Sequence, residues 1–119
     1  MRKINWPSVL RWVLAAFFAF GGIGNIFASE TILADYQRWG YPGWFHFLTG
    51  LIELSVAALL IARPRHPYGA VLGSAVMLAA AGTVIVHGEY SHALPPLVVF
   101  SFCVLVGVLT ARSGRAFRT

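Results

Sequence analysis

The sequence predicts an all-α integral membrane protein, a four-helix bundle with N- and C-termini cytoplasmic and a short amphipathic helix in the first, outer loop. Three observations predict it. The chain is 58% hydrophobic and only 11% charged, with a mean hydropathy of +0.72. A soluble domain of this length carries charge on about a quarter of its residues, so these apolar side chains have to face lipid. Four apolar stretches are each long enough to span a bilayer, and the basic residues gather on one side of them.

The stretches are Val9–Ala28, Trp44–Ala62, Tyr68–Val86 and Leu94–Ala111. Each has about 18 to 20 residues, enough at a 1.5 Å rise to cross a hydrocarbon layer of roughly 30 Å. They fill residues 1–119 as one transmembrane domain. Pro7 precedes the first helix, Pro64 and Pro67 separate the second from the third, and Pro95 and Pro96 fall in the first turn of the fourth. A missing N–H costs little at these positions. The first stretch reads as a retained span, because its apolar run is long and no small-x-small cleavage site follows it.

Of the loops, Ser29–Gly43 mixes apolar with polar residues. Its Thr31–Trp39 segment predicts a short amphipathic helix on the outer surface, ended by a turn at Gly40-Tyr41-Pro42-Gly43. Trp39, Tyr41 and Trp44 on one side, with Trp6 and Trp12 on the other, suit the two interfacial belts. Arg2, Lys3, Arg11, Arg63, Arg65, Arg112, Arg115 and Arg118 share one side of the membrane, and Arg38 lies on the other beside Glu30, Asp35 and Glu89. The positive-inside rule places the termini and the Arg63–Pro67 turn in the cytoplasm, as in a multi-pass protein of a bacterial inner membrane. The same rule accounts for the net charge of +5, and no basic face runs along a helix, so nucleic acid is not an expected partner.

Glu53 is the most informative residue. It lies roughly 13 Å below Trp44, near mid-membrane, where an acid costs several kcal/mol unless protonated, paired or hydrated. It reads either as a proton-handling or ligand-binding group or as an acid that only fastens helices together. Asn25 closes the run Gly21-Gly22-Ile23-Gly24-Asn25, whose small residues admit a close helix neighbour. Antiparallel packing of the first two helices puts Asn25 at the depth of Thr49 or Glu53, with an Asn–Glu hydrogen bond as the simplest outcome. Gly69, Gly73, Val76, Ala80, Thr83 and His87 share one face of the third helix, small towards the cytoplasm and polar towards the outside. Thr83 and His87 point to the level of Asn25, and His87 reads as a relay or ligand contact or as a merely solvated interfacial histidine. Gly69, Gly73, Ala57 and Ala58 suit close packing in the cytoplasmic half.

The sole cysteine, Cys103, excludes an intrachain disulfide and a CxxC redox pair. No metal is expected, since His46, His87 and His92 show no metal-ligand spacing, and haem is disfavoured because only His46 and His87 could face each other.

The Gly-Gly-x-Gly-Asn end of the first helix, the Gly40-Tyr41-Pro42 turn and Gly50-Leu51-Ile52-Glu53-Leu54 in the second helix resemble the DoxX-like membrane protein family. The resemblance runs from Arg11 to Thr110 and implies a four-helix bundle. Some relatives are subunits of quinone-linked oxidoreductases, which implies a quinone- or lipid-binding subunit with a redox partner protein and a hydrophobic small-molecule ligand. Glu53 matches the family's acidic position. Asn25 stands where much of the family has a lysine, so an ion pair with Glu53 is not available here. Two other readings stay open: a structural or assembly factor for membrane proteins, and a small proton-coupled multidrug transporter. Small multidrug exporters carry their buried acid in the first helix rather than the second. Partners include the lipid bilayer, and the sequence leaves open whether the chain is an enzyme and whether it forms a homo-oligomer.

Overall fold

The computed structural model describes residues 5–118, with side chains described for 5–112. Arg2 and Lys3, and the side chains of Arg115 and Arg118, lie outside the described residues. Within them the chain is helix and loop throughout: α1 (Trp6–Ile26), α2 (Glu30–Arg38), α3 (Phe45–Ala62), α4 (Tyr68–Val86), a 3-10 turn (Tyr90–Ala93) and α5 (Leu94–Arg118).

The expected spans are all present, with shifted ends that have local causes. The first helix begins earlier, at Trp6, because the Asn5 side chain accepts from the Ser8 amide and Pro7 sits in the first turn. The loop helix runs from Glu30, one residue earlier than expected, because the Ser29 hydroxyl caps the Ile32 amide. The last helix continues past Ala111 to Arg118.

Among the described residues, four helices are long and apolar enough to cross a membrane, and at most 33% of the residues in any of their apolar windows are buried. Many of the others are exposed Leu, Val, Ile, Phe and Trp side chains, among them Phe20 at 84% exposure. A soluble bundle would not display this much apolar surface. The chain is a multi-pass integral membrane protein.

The helices neighbour one another in the cyclic order α1, α3, α4, α5. In lipid they are held by close packing rather than by escape from water, so small residues set the approach. A Cβ on Gly50 would lie 2.7 Å from the Gly22 carbonyl, and one on Gly22 would lie 2.9 Å from the Gly50 carbonyl. The backbones of α1 and α3 therefore touch there. Phe18, Val56 and Cys103 are fully buried at the centre of the main core. A Cβ on Gly73 would meet Phe18 at 3.0 Å and Cys103 at 3.1 Å, and one on Gly69 would meet the Leu60 amide at 2.9 Å. Ala57 is buried as expected, but Ala58 is exposed on the outside of α3 and takes no part in this packing. Arg11 donates to the Leu60 carbonyl at 2.8 Å, satisfying an acceptor in the last turn of α3.

The bundle is dense at the terminal end and opens towards α2. The core residues at the terminal end bring all four long helices together. At the other end, the space between them is a cavity roofed by α2.

Candidate functional site

Two helix C-termini build the roof. α2 ends with Gly40 at φ +82°, where the Gly40 amide bonds the Gln37 carbonyl and the Tyr41 amide bonds the Tyr36 carbonyl. α4 ends in the same way at Gly88, φ +75°, with the Gly88 amide on Ile85 and the Glu89 amide on Val84. Both are glycine-dependent reversals that cap the last carbonyls of a helix. The first turns Tyr41 back over the bundle. The second delivers Glu89 to the end of α2.

There Glu89 gathers three partners. Arg38 reaches it at 2.8 Å and also reaches Asp35 at 2.8 Å, the Trp39 indole N–H donates at 2.8 Å, and His92 lies at 3.2 Å. The Arg38 guanidinium, then the Trp39 indole, hold the Glu89 carboxyl well below the usual range, at about 2. The same contacts push Arg38 further up. Beneath them lie aromatic rings, with Tyr41 stacked on Phe45 at 4.4 Å and Tyr36 within about 6 Å of Trp39, Tyr41 and Phe45.

The cavity under this roof has a volume of about 600 Å³, within the range of small-molecule sites. Its walls are mostly apolar, from Phe17, Ile52, Val76, Met77, Pro95 and Pro96. Asp35 and His92 line the cavity at the roof, and two further polar groups interrupt the walls.

The first centres on Asn25. Its amide nitrogen donates to the Gly21 carbonyl at 3.1 Å and to Glu53 Oε1 at 2.5 Å. A carbonyl only accepts, so the Gly21 contact fixes which amide atom is nitrogen. The Asn25 side-chain oxygen then accepts from the Tyr36 hydroxyl at 2.9 Å. One amide thus joins α1, α2 and α3. Burial pushes the Tyr36 hydroxyl above the usual phenol range, with Thr49 opposing and Glu53 and Tyr41 adding to the rise. Glu53 is 5% exposed, and its second oxygen, Oε2, lies beside Gly21 so closely that a Cβ there would come within 2.6 Å. The second group is Tyr41 and Thr83, whose hydroxyls meet at 2.6 Å across the cavity's α4 side.

Of the residues singled out from sequence, Glu53, Asn25, Thr49 and Thr83 all line the cavity. Thr49 spends its hydroxyl on the Phe45 carbonyl. His87 does not join them: it is exposed, and its Nδ1 bonds the Thr83 carbonyl of its own helix. His46 is buried instead and donates from Nδ1 to the Asn25 carbonyl at 2.7 Å, an acceptor left over at the end of α1. Tyr36, Trp39, Tyr41 and His92 line the cavity without having been singled out as site residues. Among the described residues, no three His, Cys, Asp or Glu side chains group as metal ligands.

The model of the DoxX-like family matches residues 9–106. The chain belongs to the DoxX-like family. No curated protein and no solved structure gave a significant match. The match takes in both polar groups of the cavity and the whole of its roof. In this DoxX-like chain a neutral amide, not a cation, is the partner of the membrane acid.

Proposed function

We propose that the chain binds a quinone, or another lipid-like molecule with a carbonyl or hydroxyl head, as the membrane subunit of an oxidoreductase. The observation that carries this reading is the meeting of Glu53, Asn25 and Tyr36 in the wall of an otherwise apolar cavity of about 600 Å³. Apolar walls take the ring and tail of such a ligand, and a few converging polar groups orient its head. Glu53 is the group able to exchange a proton with a ligand oxygen. Reduction of a quinone takes up two electrons and two protons. The electrons would come from a redox partner protein, one proton would pass through Glu53, and the second would come from bulk water.

Orientation belongs to the same proposal. Arg11, Arg63, Arg65 and Arg112 mark the terminal end, with Arg38 at the α2 end. By the positive-inside rule, the roof faces outward from a bacterial inner membrane and the ligand enters from the outer leaflet. That the buried network also fastens three helices supports a second, structural reading, in which Glu53 is only a joint.

A photoactivatable quinone, added to the protein in lipid nanodiscs, tests the proposal. Labelling should concentrate in residues 19–28 and 46–54 and be lost in Glu53→Leu. Labelling confined to the Arg63–Pro67 turn, or no stronger than that of a probe lacking the quinone head, would leave the structural reading in its place.

A further inference from the structure

The two polar groups in the cavity do not offer a ligand the same chemistry, and hydrogen-bond accounting separates them. Thr83 has one hydroxyl hydrogen, and its Oγ1 lies 2.9 Å from the Ala79 carbonyl of the preceding turn. That carbonyl can only accept, so the Thr83 hydrogen goes to it. The 2.6 Å contact between Tyr41 and Thr83 is then satisfied only with Tyr41 as donor. Both hydrogens are committed within the protein. Lone pairs on the two oxygens are all that the pair has left to offer.

The Asn25 group is different. Both amide hydrogens and the Tyr36 hydrogen are committed, and Glu53 Oε1 already accepts from Asn25. Glu53 Oε2 is the atom left over. Among the described residues no buried side-chain oxygen or nitrogen lacks a partner, so Oε2 is reachable from the cavity Glu53 lines. A carboxyl group can donate from this oxygen or accept at it, according to its protonation. Glu53 therefore suits a ligand carbonyl or a ligand hydroxyl, whereas Tyr41 and Thr83 suit a hydroxyl only.

We infer that Tyr41 and Thr83 form a hydroxyl-selective subsite, so that the cavity holds the hydroxyl form of its ligand in preference to the carbonyl form. For a quinone-type ligand this means the dihydroxy, reduced form. The inference rests on the proposed binding function and adds which redox form is retained, through residues that do not handle the proton.

The test compares three matched probes, all under anaerobic conditions without added reductant: a short-chain benzoquinol, its quinone, and its dimethyl ether. Each competes against the photoactivatable quinone on the wild-type protein in nanodiscs. The quinol should compete about fivefold or more better than the other two, the value of one retained hydrogen bond. Thr83→Val provides the decisive arm. It frees the Tyr41 hydroxyl hydrogen to donate, so the quinone should gain on the quinol and the preference should shrink or reverse. Tyr41→Phe leaves Thr83 Oγ1 as an acceptor, so the quinol preference should survive it. Equal competition by quinol and quinone in the wild type would overturn the subsite, as would a Thr83→Val variant that weakens both forms alike. If no probe competes at all, the binding function itself fails and the inference falls with it.

Discussion

Asn25 donates to Glu53 Oε1 at 2.5 Å, and its amide is held in register from both sides, by the Gly21 carbonyl and by the Tyr36 hydroxyl. The acid is thereby fixed to α1 through a neutral partner with no spare hydrogen. Replacing Glu53 tests what the joint is worth. Glu53→Gln keeps an acceptor for Asn25 and should fold like the parent. Glu53→Leu strands one amide hydrogen and should cost about 1–3 kcal/mol of stability. Denaturation in mixed detergent micelles measures both. If all three proteins unfold alike, the hydrogen bond contributes nothing to the bundle.

The roof depends on Tyr36 in the same way. Tyr36→Phe keeps the ring contacts but removes the donor to Asn25, at about 1 kcal/mol. Amide exchange in α2 should quicken while that of α4 stays unchanged. Equal protection of α2 in parent and variant would show that the roof is held by its rings alone.

The Glu89 cluster predicts how the roof responds to acid. Arg38 and Trp39 hold the Glu89 carboxyl at about 2, below its ordinary 4.5. A depressed carboxyl contributes stability that is present above its unfolded value and is lost as pH falls through the folded one. Attachment of α2 to the α4–α5 loop should therefore hold at pH 5 and weaken between about pH 4.5 and pH 2. Asp35 shares Arg38 with Glu89, and His92 contacts the carboxylate itself, so both belong to the unit. Limited proteolysis within α2 across that range follows the change. Glu89→Gln should be cut more readily at pH 5 and show little further change on acidification. A cleavage rate independent of pH in the parent would contradict the cluster's role.

Two glycines provide a paired test of packing. A Cβ on Gly50 meets the Gly22 carbonyl at 2.7 Å, backbone that cannot swing aside, whereas Gly82 has nothing within 4 Å. Gly50→Ala should destabilise by about 1–3 kcal/mol as α1 and α3 are forced apart. Gly82→Ala should be neutral or slightly stabilising, because alanine favours a helix more than glycine does. Similar unfolding curves for the two variants would remove the α1–α3 contact from the account.

Much of this was legible in the sequence, for reasons that differ between residues. The spans could be read because lipid demands about twenty apolar residues per crossing, whatever their packing. Asn25 and Glu53 could be paired because two antiparallel helices of known rise leave few depths at which polar groups meet. Tyr36 and Tyr41 could not be placed that way. Their positions depend on the reversal at Gly40, which folds a nine-residue helix back over the bundle. A signal was present all the same: glycine just past a helix, followed by an apolar residue, is the pattern of such a cap. His46 and His87 could not be told apart for a similar reason. Depth alone does not say which of two interfacial histidines faces a neighbour, and the unpaired Asn25 carbonyl decides it in favour of His46.

Native mass spectrometry of the protein released from nanodiscs tests the central claim most directly, because it asks whether the cavity holds a ligand. The account predicts one stoichiometric adduct of a hydrophobic molecule bearing a carbonyl or hydroxyl head, retained in Glu53→Gln and lost in Glu53→Leu. Phospholipid adducts alone, present to the same extent in all three proteins, would contradict it.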